Sequence, residues 1–196
     1  MSRIADPESL TAKVISIISN PVLFLVGSFL LGNLQIVRAN PQITVIFFTV
    51  GGFFPFILYI HYLWIHKKHI FEYTAVPREK RDNLYLAAII SFALVVLMSV
   101  YSGISYFWVY SGMLFVVLFT SYYLLNKYID KASFHTGIFA FGVLYLTNRV
   151  SVAFAILLIL VPFVGWSRVY LHKHTWFQLM LGTVIGMFLA ILSWTF

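Results

Sequence analysis

The chain has 196 residues, of which 61% are hydrophobic and only 10% charged, with a mean hydropathy of +0.92, which excludes a soluble domain of ordinary make-up. Thirteen Lys and Arg against six Asp and Glu leave a net charge of +7, but the basic residues are divided among short loops rather than gathered into a stripe, which argues against a nucleic-acid partner. With no cysteine, disulfides, thiolate catalysis and Cys-ligated metals are excluded as well.

Composition therefore points to an integral membrane protein, and apolar runs joined by short loops predict a single membrane domain over residues 1–196. The start, MSRIADPESLTAKVISIISN, lacks the apolar centre and small-residue cleavage site of a secretory signal and is expected to be retained. Residues 7–19 predict a short amphipathic helix, making 1–19 an interfacial segment. Asp6 would cap it, Pro7 suits its first turn, and Leu10, Val14, Ile17 and Ile18 share a face.

Crossing about 30 Å of hydrocarbon takes roughly 20 residues. Apolar stretches at 20–38, 42–65, 84–101, 104–126, 135–148, 151–168 and 175–196 predict an all-α polytopic bundle of six or seven transmembrane helices. The fifth stretch is short and ends at Asn148 and Arg149, so it crosses only if thinly embedded or extended at its start into KASFHTG. Trp64, Trp108, Trp166, Trp176 and Trp194 fall near predicted span ends, as interfacial aromatics do. Gly182 and Gly186 form a GxxxG in the last span, which allows close helix packing and offers a face for a homodimer.

Polar chemistry is confined to three loops: HKKHIFEYTAVPREKRDN from His66 to Asn83, NKYIDKASFHTG from Asn126 to Gly137, and SRVYLHKHTWFQ from Ser167 to Gln178. Two predicted helices separate each loop from the next, so all three are expected at one membrane face. The opposite connections hold just two charges, Arg38 and Arg149. One cause is insertion topology, which makes cytoplasmic loops basic and leaves the histidines as incidental interfacial residues. The other is an anion site in which Arg and Lys donate to phosphate oxygens and His transfers protons or phosphoryl groups.

Spacing favours the anion site. Arg168 and His174 are six apart across a turn, and His174 and Gln178 are four apart at a helix start, hence on one face. The Gln178 carbonyl oxygen would accept from one ring nitrogen of His174, fixing the tautomer and turning the other nitrogen outwards as an oriented nucleophile. Unpaired backbone N–H groups at that helix start would favour a bound anion. Arg78 and Arg81, three apart at the start of another helix, can face one site, while Lys80 points elsewhere.

These residues carry a family resemblance. GWSRVYLHKHTWFQLMLG resembles the third signature of the type 2 phosphatidic acid phosphatase superfamily, in which S-R is followed after five residues by H and after three more by D. Ser167, Arg168 and His174 match in register, and Gln178 stands where the family usually has Asp. KASFHTG resembles the second signature, usually P-S-G-H, with Ser133 and His135 kept and Ala132 and Phe134 at the Pro and Gly positions. The first signature, K, six residues, R-P, is absent as written. PREKRDNLY occupies its place and is similar to the Arg-rich version of a divergent prokaryotic branch that also carries K-x-S-x-H and H-T-x-x-Q. The resemblance covers roughly residues 76–190.

The resemblance implies a lipid phosphatase of the cell membrane acting through a phosphohistidine, with His174 as nucleophile, Gln178 orienting it, and His135 as general acid. Arg168, Ser133, Arg78 and Arg81 would hold the phosphate, with Lys131 as an additional clamp. It implies no metal or other cofactor. Phosphatidic acid, phosphatidylglycerol phosphate and polyprenyl phosphates or diphosphates are the substrate candidates. Two rivals stay open: a non-catalytic lipid-phosphate binding or transport protein with a degenerate site, and a haem or quinone electron carrier using His61, His66 and His69, which otherwise read as interfacial. His172 is expected to point away from His174, Glu72, Glu79 and Asp130 to partner neighbouring bases, and Asp82 to hold an active-site arginine if it pairs with one. Arg3, Lys13, Lys67, Lys68 and Lys127 on the site's side outnumber Arg38 and Arg149 opposite, which favours a cytoplasmic site, whereas the resemblance implies an outward one.

Overall fold

The computed structural model describes residues 7–65 and 78–195, apart from the side chains at 7–9, 53, 54, 63 and 78–80. Asp6, His66, His69, Lys67, Lys68, Glu72 and the side chains of Arg78, Glu79 and Lys80 lie outside the described residues. Helices begin where the sequence supplies an acceptor or a proline. Asn20 Oδ1 accepts from the Val22 and Leu23 N–H groups at 3.0 and 3.2 Å, with Pro21 in the first turn. Ser105 and Ser133 cap two later helices in the same way.

In chain order the elements are α1 (Pro7–Ile18), α2 (Pro21–Gly32), α3 (Leu34–Ala39), α4 (Pro41–Ile65), α5 (Arg78–Tyr101), α6 (Tyr106–Tyr128), α7 (Phe134–Arg149), a 3-10 segment (Val152–Leu160), α8 (Val161–Tyr170), α9 (Trp176–Leu192) and a final 3-10 turn (Ser193–Thr195). No strand occurs among the described residues. Internal packing groups the chain into two compact units, one made of Met1–Leu34 with Ala132–Thr195 and the other of Gln35–Lys131.

In the Gln35–Lys131 unit, α5 and α6 form a hairpin that α4 joins. Its core is aromatic: Phe92 stacks on Phe115 at 4.6 Å, and Phe47 lies 5.3 Å from Trp108. The hairpin turns at Gly103, whose φ of +63° suits glycine. At the other end Asn126 Nδ2 donates to Asp82 at 2.6 Å, so this acid ties α5 to α6 through an amide. Pro55 removes a hydrogen bond inside α4, and segments Pro41–Gly52 and Pro55–Tyr62 meet at a 46° bend.

In the other unit α7 is the central element. At 16 residues it is about 24 Å long, short of the hydrocarbon thickness. Among the described residues it is nevertheless the helix with the most continuous buried run, His135 to Val143, because Gly137, Ala140 and Gly142 let its neighbours approach closely. Phe24 of α2 stacks on Phe139 at 4.5 Å, and a Cβ at Gly142 would strike Phe24. Asn33 ends α2 by donating to Phe29 O at 2.8 Å and to Tyr145 Oη of α7 at 2.6 Å, which breaks the stretch expected as one span over 20–38.

Gly182 and Gly186 of α9 lie on α7. A Cβ at Gly182 would fall on the Ser133 carbonyl, and one at Gly186 on the Gly137 carbonyl. The four-residue step matches on both sides, so α7 and α9 run parallel in register. The face offered for a homodimer is thus occupied inside the chain, because α7 supplies the small partner residues that such packing needs.

Among the described residues five helical segments are long and apolar enough to cross a membrane: Leu10–Gly32, Arg81–Tyr101, Tyr106–Tyr128, Val152–Tyr170 and Trp176–Thr195. Counting the bent α4 as one span makes six. Six agrees with the lower expected number. The seventh, 135–148, forms a helix but is too short to be counted, and it is sheathed by protein. Large side chains such as Ile18, Tyr101, Val152 and Ile156 stand outwards. In water such apolar surface would promote association, whereas lipid covers it without penalty.

Candidate active site

The spacing of six between Arg168 and His174 has a local structural cause. After α8 the Lys173 N–H reaches the Arg168 carbonyl at 2.9 Å and the His172 N–H reaches the Val169 carbonyl at 2.8 Å, the bond pair of a Schellman turn. The His174 N–H also donates to Arg168 O, at 3.3 Å. The turn thereby fastens the two residues to each other and leads into α9.

The turn position that usually carries glycine is His172, at φ +52° and exposed. It therefore has a backbone role. Left-handed backbone costs a non-glycine residue about 1 kcal/mol or more. His172→Gly is expected to leave stability unchanged or raise it by about 0.5–1 kcal/mol, and β-branched His172→Val to lower it by about 1–2 kcal/mol. Thermal unfolding in detergent checks this; a glycine variant clearly less stable than the parent would show that side-chain contacts outweigh the backbone term.

Thr175 and Gln178 form a reciprocal cap at the start of α9. The Gln178 N–H donates to Thr175 Oγ1 at 3.4 Å, and the Thr175 N–H donates to Gln178 Oε1 at 3.3 Å. His174 Nδ1 lies 3.2 Å from that same Oε1. A backbone N–H can only donate, so the amide group must turn its oxygen towards Thr175. Nδ1 facing this oxygen must then carry the proton, and in the neutral ring Nε2 keeps its lone pair. The tautomer follows from the cap.

Ser133 is buried at the N-cap of α7, accepting from the Thr136 N–H at 3.5 Å. Its own N–H donates to the Gln178 carbonyl at 2.9 Å, and Thr136 Oγ1 lies 3.3 Å from the Leu179 carbonyl. These bonds hold the first turns of α7 and α9 side by side, an arrangement that Gly182 permits by leaving room for the Ser133 backbone. Two parallel helices thus present their N-termini together, where their dipoles favour an anion. His135, buried, is the second residue of α7, and His174 directly precedes the α9 cap.

Arg168, also buried, sits in the last turn of α8, where a cation suits the helix dipole, and its Nη1 donates to Ser16 Oγ at 2.6 Å. Ser133, His135, Arg168, His174 and Gln178 therefore belong to one unit. Lys131 and Arg81 fall in the other unit, and the Arg78 side chain lies outside the described residues. His61, weighed for haem, lies beside Trp64 at 6.4 Å.

Sequence reasoning missed Thr175 and Ser16. The first was legible, since TWFQ spells a capping box. The second was not, because a serine inside an apolar helix carries no local sign of a partner 152 residues away.

Compared with known proteins, residues 110–196 match the PAP2 superfamily. The match begins later than the resemblance over 76–190; it includes Lys131, Ser133, His135, Arg168, His174 and Gln178, and Arg78 and Arg81 precede it. No curated protein and no solved structure matches the chain. Residues 110–196 thus carry the similarity of this multi-pass helical membrane protein to the PAP2 superfamily, whose members are generally phosphatases.

Proposed function

We propose that the protein is a lipid phosphatase that hydrolyses a phosphomonoester or pyrophosphate of a lipid through a phosphohistidine. The observation that carries the reading is the orientation of His174: the Gln178 oxygen that caps α9 also accepts a hydrogen bond from its Nδ1–H, leaving Nε2 as nucleophile at the start of two parallel helices. Nε2 attacks phosphorus as the bond to the leaving oxygen breaks, and His135 gives that oxygen a proton. Water then attacks the phosphohistidine, returns a proton to His135 and releases phosphate with His174 restored. Arg168 and Ser133 bind the phosphate oxygens and offset their charge in the transition state. The substrate's apolar tail lies in the membrane.

Gln178 also supports a second reading, a lipid-phosphate binding or transport protein. A neutral amide fixes the tautomer but stabilises a phosphorylated, cationic ring less than a carboxylate does. The test is phosphate release by the purified protein from phosphatidic acid, phosphatidylglycerol phosphate and a polyprenyl diphosphate in mixed micelles. Release above a protein-free blank from at least one is expected. Binding of these lipids without any release would overturn the enzyme in favour of the binder.

A further inference from the structure

We infer that the amino-terminal helix α1 is part of the phosphate site, with Ser16 as the residue that positions Arg168. The inference rests on the phosphatase reading for what Arg168 does, and on separate observations for how Arg168 is held.

The first observation is the helix's inverted pattern. Its small residues Ala12 and Ser16, with Ser19 just beyond its end, follow each other at intervals of four and three, share a face and are buried, while Leu10, Val14, Ile17 and Ile18 stand exposed. A helix that hides small side chains and shows large apolar ones is built to pack closely on a neighbour within the membrane. That neighbour is α8. Ile15, next to Ser16, packs on the buried cluster of Phe139, Val143 and Val164, which sets the rotation of α1 about its axis.

The second observation is the use of the hydroxyl. Ser19 takes the ordinary option for a serine in an apolar helix and donates to its own backbone, at Ile15 O, 2.8 Å away. Ser16 Oγ instead accepts from Arg168 Nη1 at 2.6 Å, and both residues are buried. Arginine has a long side chain with much rotamer freedom, and its planar fork is useful only in one orientation. A buried acceptor on one Nη fixes the plane before substrate arrives, so a phosphate need not freeze it on binding. Ser16 lies outside residues 110–196, so this contact is supplied by the part of the chain beyond the family match.

The test compares the full chain with Ser16→Ala and Ser16→Thr, using phosphatidic acid hydrolysis in mixed micelles, calorimetric binding of inorganic phosphate, and thermal unfolding. Ser16→Ala is expected to lower kcat/KM about tenfold and to weaken phosphate binding by a similar factor. Ser16→Thr, which keeps the acceptor oxygen, should restore both to within about threefold. Unchanged kcat/KM in Ser16→Ala overturns the inference while leaving the phosphatase reading intact. A loss that Ser16→Thr does not restore assigns the effect to packing and overturns it too. If the wild type releases no phosphate, the phosphatase reading falls and phosphate binding decides alone: weaker binding in Ser16→Ala supports the positioning role, and equal or absent binding overturns it.

Discussion

His174→Ala is expected to reduce phosphate release from a lipid phosphate by at least about 10³-fold, to the level of a protein-free blank. The size follows from the chemistry. Without an imidazole at 174 there is no side chain to take the phosphoryl group, and the two-step route collapses to direct attack by water. Stability should change little, because the His174 ring makes its Nδ1 contact with Gln178 at the edge of α9, and the Thr175 cap of that helix survives the substitution. Unfolding curves alongside the activity assay separate the two effects. Activity in His174→Ala within a few-fold of the parent would remove the nucleophile from the reading and with it the phosphohistidine.

Gly186→Ala is the second large effect, and it acts on the fold. The added methyl would lie on the Gly137 carbonyl, which is backbone inside the central helix and cannot swing aside. Relief requires α7 and α9 to separate along a face where both are buried. Overpacking of this kind costs about 3 kcal/mol or more. The midpoint of thermal unfolding in detergent should fall well below the parent's. Gly182→Ala should lose activity as well, since its methyl would push on Ser133 and disturb the Ser133 to Gln178 bond that aligns the two helix starts. A Gly186→Ala protein as stable as the parent would show that α7 and α9 are not packed as described.

Much of the candidate site was legible because its parts are local. Arg168, the left-handed His172 and His174 fall within one turn closed by bonds over three to six residues. Thr175 and Gln178 cap a helix by contacts over three residues, and His174 reaches Gln178 over four. Contiguous residues encode such motifs, so reading R, five residues, H, three residues, Q was enough to anticipate the orientation of His174. Helix existence was legible for the same reason, since apolar runs bounded by Asn20, Pro21, Pro41, Ser105 and Ser133 mark their own starts.

Partner choice was not legible. In a soluble helix the apolar face points to the core, but in a membrane lipid is as apolar as a core, so the pattern of Leu, Ile, Val and Phe does not say which side meets protein. The short stretch 135–148 therefore read as a weak span, whereas packing made it the centre of its unit; Gly182 and Gly186 read as a face for a second copy, whereas α7 fills it. By itself the sequence determined the membrane class, most helix starts and the local geometry around His174, because these depend on hydropathy, caps and turns within a few residues. Only the tertiary structure decided that α7 and α9 start side by side and that Ser16 meets Arg168, because those contacts depend on how closely small residues let distant helices approach.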